Sequence, residues 1–197
     1  MKKKFQQINE QAVARTSESL SKLIDRTVEV GICKTEVKEI EELSPLIGIE
    51  DVVAGIYLPV TGDIKGAALL IFPQETAFTL SDLLVKRPAG TTRKLDELDE
   101  SAIKEVGNII SGNYLTVLSN TLQVKIIQHL PNFSFDMFGA IVSQIITEFA
   151  QKTERALIIE IEFTFKPETL KGYFLLLFDV EQFNAILGSI EMDSFVR

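Results

Sequence analysis

A carboxylate and a carboxamide lie one turn apart in a helix predicted from about residue 94 to 122. They are Glu105 and Asn108, and at about 100° per residue they share one stripe with Ser101 and Gly112. A carboxylate can accept a charge-assisted hydrogen bond, and an amide can donate or accept one without adding charge. The stripe could therefore hold a cationic group and a water molecule side by side.

Gly112 suggests that this stripe is more than a polar helix face. Glycine inside a helix costs about 1 kcal/mol relative to alanine. The apolar residues of the helix lie on the opposite side, so the sequence indicates that a partner approaches the backbone here from outside. Leu115, at the edge of the stripe, is expected to be an exposed docking contact. A solvated face with an accidental glycine is the alternative that geometry alone leaves open.

The elements that must position this helix occur twice along the chain. Residues 3–28 and 101–126 are matching amphipathic stretches, and each is followed by a short strand, a short helix, two β-rich runs and a final helix. The β-rich runs are 52–60 with 65–72, joined by a turn at 61–63, and 156–165 with 172–178; the final helices are 74–85 and 180–190.

This doubled order predicts an α+β fold, a pseudo-two-fold repeat whose helices are layered on a shared, largely antiparallel sheet. The prediction is one domain over 1–197, with a first repeat at 1–92 and a second at 93–197. The joint at 86–92 has too few residues to act as a flexible linker.

The composition excludes several classes of function. A formal net charge of −8 argues against nucleic-acid binding, and no apolar run approaches the ~18 residues of a membrane span. A single cysteine, Cys33, and a single histidine, His129, exclude an internal disulfide and a two-histidine metal site. Phosphate-binding glycine loops are missing as well. We expect a soluble, cytoplasmic protein without a metal or cofactor of its own.

The spacing of the stripe resembles a known motif. Ser101-x-x-x-Glu105-x-x-Asn108, followed after twenty-two residues by Pro131, is similar to the motif of the CheC, CheX and FliY phosphatases, and the stretch 107–113 resembles their GNxxxGN core. In length and doubled organisation the chain resembles CheC most. The first half departs from the pattern, since the matching positions hold Lys3, Gln7, Glu10 and Cys33, with Ala14 at the place of Gly112 and Ser17 at that of Leu115. We expect the first half to be catalytically inactive.

The resemblance implies a phosphatase that removes the aspartyl phosphate of the chemotaxis response regulator CheY and so adjusts flagellar motor signalling. It implies that Asn108 positions the attacking water and that Glu105 contacts the regulator's active-site lysine, with Mg²⁺ supplied by the regulator. Ser101, Gly112 and Leu115 would form the docking surface, and Pro131 would be structural.

Two alternatives belong to other classes. The chain could bind phosphorylated CheY without turnover, or act as an adapter for the receptor deamidase CheD, which is a further candidate partner. It could also be a structural piece of the flagellar switch, although the presence of both Glu105 and Asn108 argues against that. Catalytic turnover separates an enzyme from a binding protein.

Overall fold

A computed structural model describes residues 2–39, 48–149, 155–165 and 168–178. Within these residues it contains four helices and seven strands. In chain order they are α1 (Lys2–Ile24), β1 (Glu29–Glu39), β2 (Val52–Gly62), β3 (Gly66–Pro73), α2 (Gln74–Leu84), α3 (Glu97–Leu122), β4 (Ile126–Gln128), β5 (Asn132–Met137), α4 (Phe138–Phe149), β6 (Arg155–Phe165) and β7 (Glu168–Phe178).

The strands form one antiparallel sheet in the order β1-β6-β7-β3-β2-β4, and β5 pairs with β2 beside β4. Both predicted β pairs are present as β2 with β3 and β6 with β7. Gly62, the last residue of β2, lies in the predicted turn at 61–63 with a φ of 120°, at which a residue with a side chain would be strained. The predicted α+β class with an antiparallel sheet is confirmed.

Side chains alternate between the two faces of the sheet and contribute to two separate hydrophobic cores. On one face, the sheet packs against α1, α2 and α3; Ile56 of β2 and Phe174 of β7 belong to this larger core. On the other face, Leu69 of β3 and Leu175 of β7 pack against Phe138 and its neighbours on α4. The sequence predicted helices on one face, whereas α4 covers part of the second face as well.

Helix α3 begins at Glu97, slightly later than predicted, because Asp96 caps it. The Asp96 carboxylate accepts from the backbone N–H of Leu98 and Asp99, and the Asp99 carboxylate accepts in return from the N–H of Asp96. At the other end Gln123 adopts a left-handed conformation that stops the helix. Both ends of the helix that carries the stripe are therefore fixed by local sequence.

The joint at 86–92 is held by buried carboxylates. Asp82 accepts from the backbone N–H of Thr91 at 2.9 Å and of Thr92 at 3.1 Å, and both threonine hydroxyls donate to it. Arg87 donates to the buried Asp99 at 2.6 Å. These bonds tie α2 to the start of α3, so the joint is an ordered connection.

The final helices, the start of β7 and the two repeats were also predicted from the sequence. The predicted final helix of the first half corresponds to α2, whereas its counterpart at 180–190 lies outside the described residues. Strand β7 starts at Glu168, earlier than the predicted Gly172, because its polar first residues continue the ladder with β6. Strands of the two halves correspond as β1 with β4 and β5, β2 with β6, and β3 with β7. Exchanging each strand for its counterpart gives the same sheet order read from the opposite edge, as a pseudo-two-fold repeat requires. The division into two repeats stays a prediction.

Candidate functional site

Helix α3 lies on the sheet through a glycine. A Cβ placed on Gly107 would come within 2.8 Å of the Ile56 side chain of β2, so only glycine allows this close approach. Ile103, Val106 and Ile110 on the same side of the helix are buried in the larger core. This packing turns the stripe away from the sheet.

The four stripe residues share one side of α3 but differ in exposure. Ser101 and Glu105 are exposed, whereas Asn108 and Gly112 are half-buried. The Ser101 hydroxyl donates to the backbone carbonyl of Glu97 at 2.7 Å, one turn back in the same helix. The helix thus presents a carboxylate at an open position and an amide at a more sheltered one.

Strand β4 partly covers the Asn108 side chain. This short strand follows α3, turns back along the helix and pairs with the end of β2. From β4, Gln128 Nε2 donates to Asn108 Oδ1 at 2.6 Å. Gln128 is not recognisable as part of the site from the sequence, because its place beside Asn108 depends on how β4 folds back.

The burial of Leu115 contradicts the prediction that it is an exposed docking contact. It is only 3% exposed and belongs to the larger core. The error came from placing the buried arc of α3 by its large apolar residues alone, whereas Gly107 and Ser111 are also buried and extend that arc toward Leu115. Leu115 is a core residue, and it is removed from the docking surface.

Gly112 lies in a different environment from Gly107. A Cβ placed on Gly112 would meet only Gln128 Oε1, at 3.9 Å, which is ordinary van der Waals contact. Packing among the described residues therefore does not require glycine at this position. The following Asn113 is not part of the open surface, since its Nδ2 donates to Ser19 Oγ of α1 at 3.2 Å.

The matching face of α1 carries different chemistry. Gln7, Glu10 and Ala14 are exposed, and Gln6 donates to Glu10 at 2.8 Å. Ser17, which matches Leu115, accepts from the backbone N–H of Val30 and so fixes the start of β1. This face holds an acid where α3 holds an amide.

Pro131 is half-buried in the segment between β4 and β5, just before Asn132 begins β5. In the described ranges, no group of three or more histidine, cysteine, aspartate or glutamate side chains could hold a metal ion. Among those same residues, no helix is long and apolar enough to cross a membrane.

Comparison with known proteins gives a consistent result. The model of the CheC-like family matches residues 98–131, the segment from the start of α3 to Pro131. The curated protein CheY-P phosphatase CheC from Bacillus subtilis is 27% identical over 180 residues, which cover 89% of this chain and 86% of that protein.

Solved structures share the fold at lower identity. FliY from Thermotoga maritima superposes with a TM-score of 0.76 at 16% identity, covering 92% of each chain. A chain from the CheX-CheY-BeF3-Mg²⁺ complex of Borrelia burgdorferi superposes with a TM-score of 0.55 at 19% identity, covering 85% of this chain and 96% of that one. This chain is therefore similar to the CheC-like family in its motif segment, to a CheC protein along most of its length, and to FliY in its fold.

Proposed function

We propose that this protein hydrolyses the aspartyl phosphate of a CheY-type response regulator, with Glu105 and Asn108 as its catalytic residues. The observation that carries the proposal is the pairing of these two side chains on the outward face of α3, beside a glycine that packing among the described residues does not require. The CheY-P phosphatase named among its relatives supports the same substrate class.

Asn108 would act on the water. An aspartyl phosphate is a reactive anhydride, so the main requirement is a water held in line for attack. The Asn108 amide can bind that water without placing another negative charge beside the phosphoryl oxygens. A carboxylate in its place would repel them, which is why Glu10 makes the α1 face unsuitable.

Glu105 would hold the regulator. Its exposed carboxylate, one turn from Asn108, can form a charge-assisted bond with a lysine at the regulator's active site. The Mg²⁺ that neutralises the phosphoryl oxygens would belong to the regulator, since the stripe offers one carboxylate and Mg²⁺ needs several oxygen ligands. Ser101 and Gly112 would line the docking surface.

The same proposal places the protein in the cytoplasm, where it would act on the regulator that controls the flagellar motor. The second candidate function is binding of the phosphorylated regulator without turnover, or an adapter role toward CheD. It is favoured by one observation: on α1 the positions that match Glu105 and Asn108 are exposed, but Glu10 stands where α3 has the amide of Asn108.

Turnover decides between the two candidate functions. A phosphorylated regulator is mixed with a tenfold smaller amount of this protein, and free phosphate is followed over time. The proposed function predicts several phosphates released per protein molecule at a rate above that of the regulator alone. A protein that only binds would leave that rate unchanged or lower it.

A further inference from the structure

The amide of Asn108 is held by a second amide. Gln128 Nε2 donates to Asn108 Oδ1 at 2.6 Å, a short distance for an N–H···O bond, in a partly buried position. A free asparagine amide rotates broadly about its last torsion and can present either end to solvent. This hydrogen bond removes that freedom by directing the oxygen of Asn108 toward β4.

Gln128 lies on a short strand that hydrogen bonds hold at both ends. It lies opposite Val60 in the ladder between β4 and β2. Asp63 fixes one end of β4 through bonds with the backbone of Lys125, and the N–H of His129 donates to Pro59 O at the other end. A side chain anchored on such a frame can fix the group it touches.

The polarity of this bond decides what Asn108 offers to a partner. One lone pair of Oδ1 is occupied by Gln128, and no described residue accepts from Nδ2. The two N–H groups of Nδ2 are therefore left for whatever docks on the stripe. A donor suits an anionic phosphoryl group or the oxygen of a water molecule beside it.

The other end of Gln128 is also informative. Its Oε1 is buried, finds no hydrogen-bond donor among the described residues, and lies near the open side of Gly112. A buried acceptor without a partner costs about 1–3 kcal/mol, so this orientation of Gln128 is not explained by its own stability. The orientation of the Gln128 side chain is explained instead by the hydrogen bond that its Nε2 donates to Asn108 Oδ1.

We infer that Gln128 is a positioning residue, which holds the Asn108 amide with its NH2 group directed at the phosphoryl site of the docked regulator. The inference rests on the proposed function. It goes beyond the Glu105 and Asn108 pair because it adds a residue from a different element and commits to the end of the amide that acts.

Two substitutions test the polarity. Gln128→Met keeps the length of the side chain but removes the donor, so Asn108 loses its restraint. Gln128→Glu replaces the donor by an acceptor, which draws Nδ2 of Asn108 inward and turns its oxygen outward. We expect kcat to fall on the order of tenfold in Gln128→Met with little change in KM, and to fall further in Gln128→Glu. Gln144→Met, at an exposed position of α4, is the matched control and should behave as the wild type.

A double substitution tests whether Gln128 acts through Asn108. Once Asn108 is alanine, Gln128→Met should cause no further loss of kcat, since nothing is left to orient. An additive loss, a change confined to KM, or a Gln128→Glu variant as active as the wild type would overturn the inference. Melting temperatures of all variants show whether a loss reflects unfolding.

A measurement without regulator separates this inference from the proposed function. In ¹⁵N-labelled protein the side-chain NH2 signals of Asn108 should move toward free-asparagine values in Gln128→Met and stay in place in Gln144→Met. Unmoved signals would overturn the positioning role even if turnover is normal. Moved signals with an inactive wild type would support the positioning of Asn108 and refute the proposed phosphatase activity instead.

Discussion

Two glycines of α3 show how differently one residue type can be used. Gly107 touches Ile56 and serves the fold, whereas Gly112 meets only a distant contact from Gln128. If the regulator approaches the backbone at Gly112, a methyl group there should disturb docking and nothing else.

Gly112→Ala should therefore leave the fold intact and impair dephosphorylation. We expect a melting temperature equal to or above that of the wild type, because alanine is favoured over glycine by about 1 kcal/mol in a helix. KM for the phosphorylated regulator should rise several-fold. Gly107→Ala is the contrasting variant, since its clash with Ile56 should destabilise the protein by about 1–3 kcal/mol. A Gly112→Ala protein with normal KM would show that the regulator does not approach this position.

At the residue scale the sequence predicted the stripe of Glu105, Asn108 and Gly112 because helical periodicity places them together. It could not predict the burial of Leu115, since a helical projection based on large apolar residues does not show that Gly107 and Ser111 are buried as well. It also could not find Gln128, whose contact with Asn108 is made twenty positions later in the chain, by a strand.

Among the elements, α1 and α3 are the informative pair. They pack together, and Tyr114 of α3 donates to Asn9 Oδ1 of α1 at 2.9 Å. Both faces carry an acid and an amide, but only α3 has the amide at the position of Asn108, and only α3 has a glycine, Gly112, where α1 has Ala14.

The paired substitution Gln7→Ala with Glu10→Ala should leave dephosphorylation close to wild type. Both side chains are exposed on α1, so the fold should not suffer either. Initial rates of phosphate release and the melting temperature check this. A large loss of activity in folded protein would mean that the catalytic face lies on α1.

Elements were predictable where local sequence decides them. The turn at 61–63 lies at the end of β2, and α3 begins within a few residues of its predicted start. The early start of β7 was not predictable, because Glu168 and Lys171 are polar and join the sheet only through their pairing with β6. Tertiary pairing overrides local preference at such positions.

At the scale of the whole molecule, the joint between the two predicted repeats depends on Asp82. Burial by itself raises the pKa of this carboxyl, but hydrogen bonds from Thr92 and Thr91 outweigh that effect and hold the pKa below its usual value. A lowered pKa in the folded state means that the charged form stabilises the fold. This contribution is complete above the unfolded pKa of about 3.9 and is lost as the pH falls through the folded value.

Asp82→Asn should therefore destabilise the protein by about 1–3 kcal/mol at pH 7, since an amide cannot accept all of these bonds. The difference from wild type should begin to shrink as the pH falls below about 4, where Asp82 becomes protonated in the unfolded chain, and should shrink further as the pH falls through its lower folded pKa. Urea unfolding of both proteins at neutral and acidic pH measures this. A difference that stays constant with pH would show that the charge of Asp82 is not what holds the joint.

The central claim is that the outward face of α3 performs catalysis through Asn108. It is tested most directly by comparing phosphate release for wild type, Asn108→Ala and Glu105→Ala, with affinity measured in parallel on the regulator carrying beryllofluoride. We expect Asn108→Ala to lower kcat on the order of a hundredfold or more with affinity nearly unchanged, because the water is positioned only for the reaction. Glu105→Ala should weaken both kcat and affinity. A folded Asn108→Ala protein that still releases many phosphates per molecule would contradict the account.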